Sequence, residues 1–250
     1  METYFNIRYE FDKTQVHSFI YTRLPKSGSD YICVADGVIL DNVNRNDKYK
    51  TVVNGGLFSI CDSSYVPIYL KWIYGIERIQ YSGSEIFKDI ITQAKYRMIF
   101  MGTSEEILTG LKNNLLKFNP DIKDMLFIEL PFCDVKDFDY QGIAKMIEMD
   151  GAEIIWIALG APKQEYFMSM LKPYLSHGIM IAVGAAFKFY SGVEVKRAPE
   201  WMIRNHLEFV YRILSEPKKQ LKRCFDIVRT LPWLLLKEYG RKRKNGGHNR

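Results

Sequence analysis

A chain of 250 residues with 47% hydrophobic and 14% aromatic content is large enough for a sizeable core, which excludes a disordered protein. The net charge of +6 is unevenly placed: residues 217–250 hold eleven Lys/Arg against two acids, which leaves residues 1–216 at −3. A mildly acidic body with a basic tail is not a uniformly basic coat for nucleic acid, and the tail points to an anionic partner such as lipid, nucleic acid or a phosphorylated ligand.

The first residues, 1–11, carry charges where a secretion signal needs an apolar stretch, and no apolar run reaches the length of a membrane span. The reading is cytosolic. Cys33, Cys61, Cys133 and Cys224 are far apart and read as free thiols, and the four histidines are too scattered for a zinc site. Residues 4–9 and 31–35 read as strands around a helix at 12–22, and Asp36-Gly37 as a turn. A strand at 57–61 ends at Asp62, and Pro67 suits the first turn of a helix at 66–74. A helix at 84–95, capped by Ser84, precedes a buried strand at 97–101. Gly102-Thr103-Ser104 opens a helix at 105–118, followed by a strand at 125–130 and a helix at 140–150. The strand 154–159, helix 163–175 and strand 179–183 continue the alternation. After Gly184 come a loop, a helical stretch at 199–214 and the basic tail, in which Pro232 breaks or kinks a helix.

This order predicts a Rossmann-like, mostly parallel, doubly wound sheet over residues 1–198 with a helical basic appendage at 199–250. Ligands of such sheets bind past the carboxyl ends of the strands. That rule selects Asp36, Asp62, the Gly102-Thr103 turn, the segment from Gly160 to Glu165, and Gly184. The richest of these is Ile154 to Tyr166, IIWIALGAPKQEY, an unbroken apolar run followed by a glycine and a compact polar cluster. Gly160 allows close backbone approach, and Lys163 can meet an anion at a helix start. The alternative is an ordinary strand–helix junction. Asp62, flanked by Cys61, Ser63 and Ser64, is either a general base or the cap of the helix after it, and Asp36 faces the same choice. Asp137 and Asp139 form the one D-x-D pair but lie before a helix, so they read as capping residues rather than a metal clamp. No metal site is expected. A leaving diphosphate would then be met by cations, and Lys188, Lys196, Arg197, Arg204 and Arg212 before the tail and Lys218, Lys219, Lys222 and Arg223 at its start are available. Apolar and aromatic residues from Phe225 to Leu235 among clustered Lys/Arg fit an interfacial membrane segment.

Several ordered stretches, ALGAPKQE, IAVGAAFKFYSG, RAPEWM and HLEFVYRILSEPKKQLKR, resemble the WecG/TagA/CpsF glycosyltransferases, and a weaker likeness extends to the N-terminus. The resemblance implies inverting transfer of a sugar, N-acetylmannosamine or another hexose, from a UDP-sugar to a polyprenyl-diphosphate-linked acceptor at the cytosolic face of the membrane. UDP-sugar is then a substrate, and no cofactor is needed. The products expected of such enzymes are surface polysaccharides such as capsule or exopolysaccharide. The resemblance carries the family's base onto Asp62, with Asp36 as rival, and its active-site glutamine onto Gln164. It also makes Gly102, Thr103, Gly160, Lys163, Glu165, Gly184, Arg197, Lys219 and Arg223 binding residues, the last two in an appendage that closes over the donor phosphates. Cys61-Asp62-Ser63 departs from the family's P-D-G, Asp36 stands in place of an Asn, and Gly102-Thr103 replaces G-G. Homo-oligomers are common in proteins of this kind, so self-association stays open. The competing reading is a basic-tailed nucleotide- or nucleic-acid-binding α/β protein without transferase activity, and the acidic body disfavours nucleic acid as partner. A dinucleotide-dependent oxidoreductase would need a G-x-G-x-x-G turn after the first strand, which is absent.

Overall fold

A computed structural model describes residues 1–193, 199, 201, 202, 205, 207–215 and 217–246. Its centre is one eight-stranded sheet. The strands are β1 (Glu2–Tyr4), β2 (Ile7–Tyr9), β3 (Asp30–Ala35), β4 (Phe58–Cys61), β5 (Met98–Gly102), β6 (Leu126–Ile128), β7 (Ile154–Ala158) and β8 (Ile179–Ala182). Their spatial order is β1-β2-β4-β3-β8-β7-β5-β6, and every pairing is parallel except β1 with β2. The predicted strand at 4–9 is therefore a hairpin, turned at Phe5 and Asn6, which both adopt positive φ.

The helices are α1 (Lys13–Arg23), α2 (Gly37–Arg45), α3 (Asp47–Asn54), α4 (Val66–Tyr74), α5 (Gly83–Gln93), α6 (Glu105–Leu115), α7 (Tyr140–Asp150), α8 (Lys163–Leu171), α9 (Ala186–Ser191), α10 (Glu208–Ser215) and α11 (Pro217–Gly246). They cover both faces, so residues of the central strands are mostly apolar whichever way they point. Tyr31, Cys33 and Ala35 of β3 join a core with α2, α3, α4, α7, α8 and Leu234 of α11. Ile32 and Val34 join the opposite core with α1, α5, α6 and α9. This two-sided burial explains the unbroken apolar runs of the central strands.

Three local expectations are corrected. Asp36-Gly37 does not make a turn but starts α2, and α3 follows directly. The helix at 84–95 begins at Gly83, with Ser82 and Glu85 forming a reciprocal capping box, so Ser82 and not Ser84 is the cap. Pro232 does not break the tail, because α11 runs unbroken for 30 residues through it.

The appendage helix α11 lies on α2 and α4. Leu234 is buried, Tyr74 donates to Glu238 Oε1 at 2.9 Å, Lys242 donates to the Ile73 carbonyl at 2.6 Å, and Thr230 donates to Asp41 Oδ1 at 2.5 Å. The boundary expected at residue 198 lies outside the described residues. Among the described residues no helix is long and apolar enough to cross a membrane.

Candidate active site

The parallel sheet brings the sequence-selected residues into one row along its carboxyl edge. Reading across the strands, Asp62 follows β4, Asp36 follows β3, Gly184 stands just past β8, Gly160 just past β7, and Gly102-Thr103 closes β5. Asp62 and Asp36 are adjacent, since the Asp62 N–H donates to the Ala35 carbonyl at 3.0 Å. At a strand spacing of about 4.8 Å, the four steps from β4 to β5 make a shelf roughly 19 Å long.

The two aspartates are held differently. Asp36 is the N-cap of α2: its Oδ1 accepts from Val38 N at 2.9 Å and Ile39 N at 3.0 Å. Asp62 does not cap the helix that follows it, because α4 starts after Tyr65 with no side-chain cap. Its Oδ1 instead accepts from Gly83 N at 2.8 Å, at the start of α5, and its carbonyl accepts from Gln80 Nε2 at 2.6 Å. The carboxylate is thus oriented by a second helix N-terminus from across the fold, a relation that no local sequence signal announces.

Glycines at the strand ends are required by geometry. Gly102 has φ +119°, and a Cβ there would sit 2.6 Å from the Ala158 carbonyl oxygen, so no side chain fits where β5 meets β7. Thr103 beside it takes φ +56° and is half-buried. Gly160 has φ +77° with open space around it, and Ala161-Pro162 is cis.

The polar cluster after Pro162 divides by depth. Lys163 stays at the rim, its Nζ 5.0 Å from the Phe138 ring centroid and 5.4 Å from that of the fully exposed Phe132. Gln164 turns inward: its Oε1 accepts from Gly160 N at 3.0 Å, and its amide lies beside Gly184. Glu165 does not line the shelf at all. It is completely buried, accepting from Gln164 Nε2 and from Tyr49 OH, each at 2.9 Å. Burial pushes the Glu165 carboxyl up to about 7 and carries the Tyr49 hydroxyl far above its ordinary range. Tyr49 belongs to α3, an element the sequence reading left out, although Tyr49 and Val53 at helical spacing were a usable signal.

Among the described residues no group of three or more His, Cys, Asp or Glu comes together to hold a metal. Asp139 of the D-x-D pair caps α7 through Gly142 N at 2.9 Å. Arg197 lies outside the described residues, and of Lys219 and Arg223 only the backbone is described, in α11.

The family model described as "Glycosyl transferase WecG/TagA/CpsF family" matches residues 4–245. The chain belongs to this glycosyltransferase family. It is 26% identical over 252 residues to the N-acetylglucosaminyldiphosphoundecaprenol N-acetyl-beta-D-mannosaminyltransferase of Bacillus subtilis (strain 168), covering 96% of this chain and 93% of that protein. It is 25% identical over 217 residues to the enzyme of the same name from Bacillus spizizenii, covering 84% of this chain and 82% of the relative.

Proposed function

We propose that this chain transfers an N-acetylmannosamine-type hexose, with inversion, from a UDP-sugar to a polyprenyl-diphosphate-linked N-acetylglucosamine. The observation that carries the reading is the likeness to the Bacillus subtilis transferase over 93% of that protein's length. The geometry supports the assignment of roles. Asp62 takes the proton of the acceptor hydroxyl as that oxygen bonds to the anomeric carbon, and the bond from this carbon to the UDP oxygen breaks on the opposite face. Asp36 is committed to α2 as its cap, which favours Asp62 as the base.

The donor lies along the shelf with its diphosphate towards the glycine turns after β7 and β5, where backbone N–H groups and Lys163 meet the departing negative charge. By the family likeness, Lys219 and Arg223 of the appendage add further cations for the departing diphosphate. No metal step is invoked.

The acceptor is a membrane lipid, so the appendage has a second role as a peripheral anchor. On α11 the solvent side carries Phe225, Val228, Leu236 and Tyr239, all exposed, at helical spacing and interleaved with Lys and Arg. Solvent-facing apolar residues in that company fit the interface of an anionic bilayer.

The test is UDP release by the full chain with a panel of UDP-sugars and a lipid-diphosphate N-acetylglucosamine acceptor. Acceptor-dependent release from UDP-N-acetylmannosamine, insensitive to EDTA and lost in Asp62→Asn, is expected. Binding of oligonucleotides without turnover of any UDP-sugar would replace this reading with the binding-protein alternative.

A further inference from the structure

We propose that Tyr49 and Glu165 are positioning residues that lock the Gln164 side-chain amide into one orientation at the carboxyl edge of the sheet. The proposal rests on the transferase reading and adds to it the origin of the glutamine's orientation.

The amide's oxygen and nitrogen are assigned by their neighbours. A backbone N–H cannot accept, so the atom facing Gly160 N is the oxygen; an ionised carboxylate cannot donate, so the atom facing Glu165 Oε1 is the nitrogen. Glu165 Oε2 is in turn held by Tyr49 OH. The chain of bonds therefore runs from α3, under the sheet edge, through α8 to the backbone of the turn after β7. One Nε2–H and one oxygen lone pair of Gln164 remain without a partner among the described residues. They sit beside Gly184, whose missing side chain leaves a Cβ position 3.7 Å from Gln164 Oε1.

Among the described residues, the groups facing Glu165 give it no cation. They are Tyr49 from α3, Cys33 from β3, Asp36 at the end of β3 and Gln164 on its own helix; Tyr166 packs on the Tyr49 ring at 5.4 Å between centroids. An acid buried without a cation is a poor choice for stability, because a neutral or apolar residue would avoid its desolvation. What the carboxylate does supply is an acceptor on both oxygens, so two donors, Tyr49 and Gln164, are held at once. When Glu165 is protonated, its O–H no longer accepts from Gln164 as a carboxylate does, and the amide is held by the Gly160 N–H alone. Turnover should then fall on the acid side of about pH 7.

The experiment is the pH profile of kcat and KM for UDP release by the full chain, wild type against Tyr49→Phe and Glu165→Gln. Tyr49→Phe keeps the ring and removes one donor from the carboxylate. Its kcat is expected to fall about tenfold with KM changed less than about twofold, and the acid limb to move up by about one pH unit. Glu165→Gln should lose the acid limb near pH 7, leaving only the lower limb set by the base. A merely structural role would lower thermal stability in both variants while leaving the limb where it is. Wild-type kcat and an unmoved limb in both variants would overturn the proposal.

A ligand-free readout separates this from the transferase reading: the ¹⁵N side-chain amide signal of Gln164 should titrate in the wild type and not in Glu165→Gln. A Gln164 amide that exchanges freely and does not titrate overturns the positioning role whatever the turnover. A titrating amide in a protein that turns over no UDP-sugar retains the positioning geometry and defeats the transferase reading.

Discussion

The two adjacent aspartates carry the sharpest residue-level expectation, because their hydrogen bonds assign them different duties. Asp62→Asn keeps the shape and the bond to Gly83 N–H but cannot accept a proton, so kcat should fall by about 10²–10⁴-fold with little change in thermal stability. Asp36→Asn retains an amide oxygen for Val38 and Ile39, and asparagine caps as well as aspartate, so stability should hold to within a few tenths of a kcal/mol. Asp36→Ala should cost about 1 kcal/mol. Parallel urea titrations and UDP-release assays check all three. A larger turnover loss in Asp36→Asn than in Asp62→Asn would exchange the two roles.

At the scale of elements, the glycines after β5 and β7 separate close approach from backbone conformation. Gly102→Ala places a Cβ 2.6 Å from the Ala158 carbonyl oxygen at a strongly positive φ, so the β5–β7 pair must shift, and a loss of about 3 kcal/mol is expected in urea unfolding. Gly160→Ala meets no atom within 4 Å and pays only the conformational strain, about 1 kcal/mol. Equal losses at the two positions would show that the carbonyl contact is relieved by relaxation.

Such contrasts also mark where the sequence was readable. The strand ends were legible because buried parallel strands write themselves as apolar runs, and the row from Asp62 to Thr103 followed from topology alone. The α2–α3 pair was not, because Asp36-Gly37 has turn chemistry. What makes it a helix start is the Asp36 carboxylate, which caps α2 through the Val38 and Ile39 N–H groups, and α11 then packs Ile227 over Gly37. The hold of Gly83 on Asp62 and of Tyr49 on Glu165 spans 21 and 116 residues, beyond any periodicity. Depth was equally hidden. Lys163, Gln164 and Glu165 are neighbours in sequence, yet one lies at the rim and another has no exposed surface.

For the whole molecule, Glu165 sets a pH dependence whose sign runs opposite to that of most carboxylates. Its carboxyl lies near 7 in the folded protein against 4.5 in the unfolded chain, so the folded state binds the extra proton between these values. The protein therefore gains stability as pH falls from about 8 to about 5, by up to about 3 kcal/mol from this group. Glu2, Glu85 and Glu148 are held below their ordinary values by Arg78, by Ser82 with Lys13, and by Ser176 with His177, and they act in the opposite sense at lower pH. Urea unfolding of wild type and Glu165→Gln isolates the contribution: the difference between them should be largest at about pH 8 and shrink towards about pH 5. A difference independent of pH would mean that Glu165 ionises freely in the folded protein.

The same scale holds the question of how a body with an acidic balance would meet the lipid-linked acceptor of the proposed reaction. The α11 helix is fastened to the body along one side, through Leu234, Glu238 and Lys242, so its other side is presented as a fixed surface. On that side Leu236 is 73% exposed and Val228 66%, while Lys237 covers the Trp233 ring at 4.6 Å. Apolar insertion and attraction of Lys/Arg to anionic headgroups should add, each basic residue contributing about 1 kcal/mol near the surface. Co-sedimentation of the full chain with vesicles rich in phosphatidylglycerol should therefore weaken with salt, since a Debye length of about 8 Å at physiological ionic strength leaves little attraction beyond direct contact. Val228→Glu and Leu236→Glu together remove apolar area and add like charge to the bilayer's, and binding should drop by at least about tenfold. Neither residue belongs to the sheet edge, so turnover of a short, water-soluble acceptor should be retained while turnover of a vesicle-borne acceptor falls. Undiminished sedimentation of the double variant would move the membrane contact off α11, and an equal fall with both acceptors would mean that this side of the helix supports the active site itself.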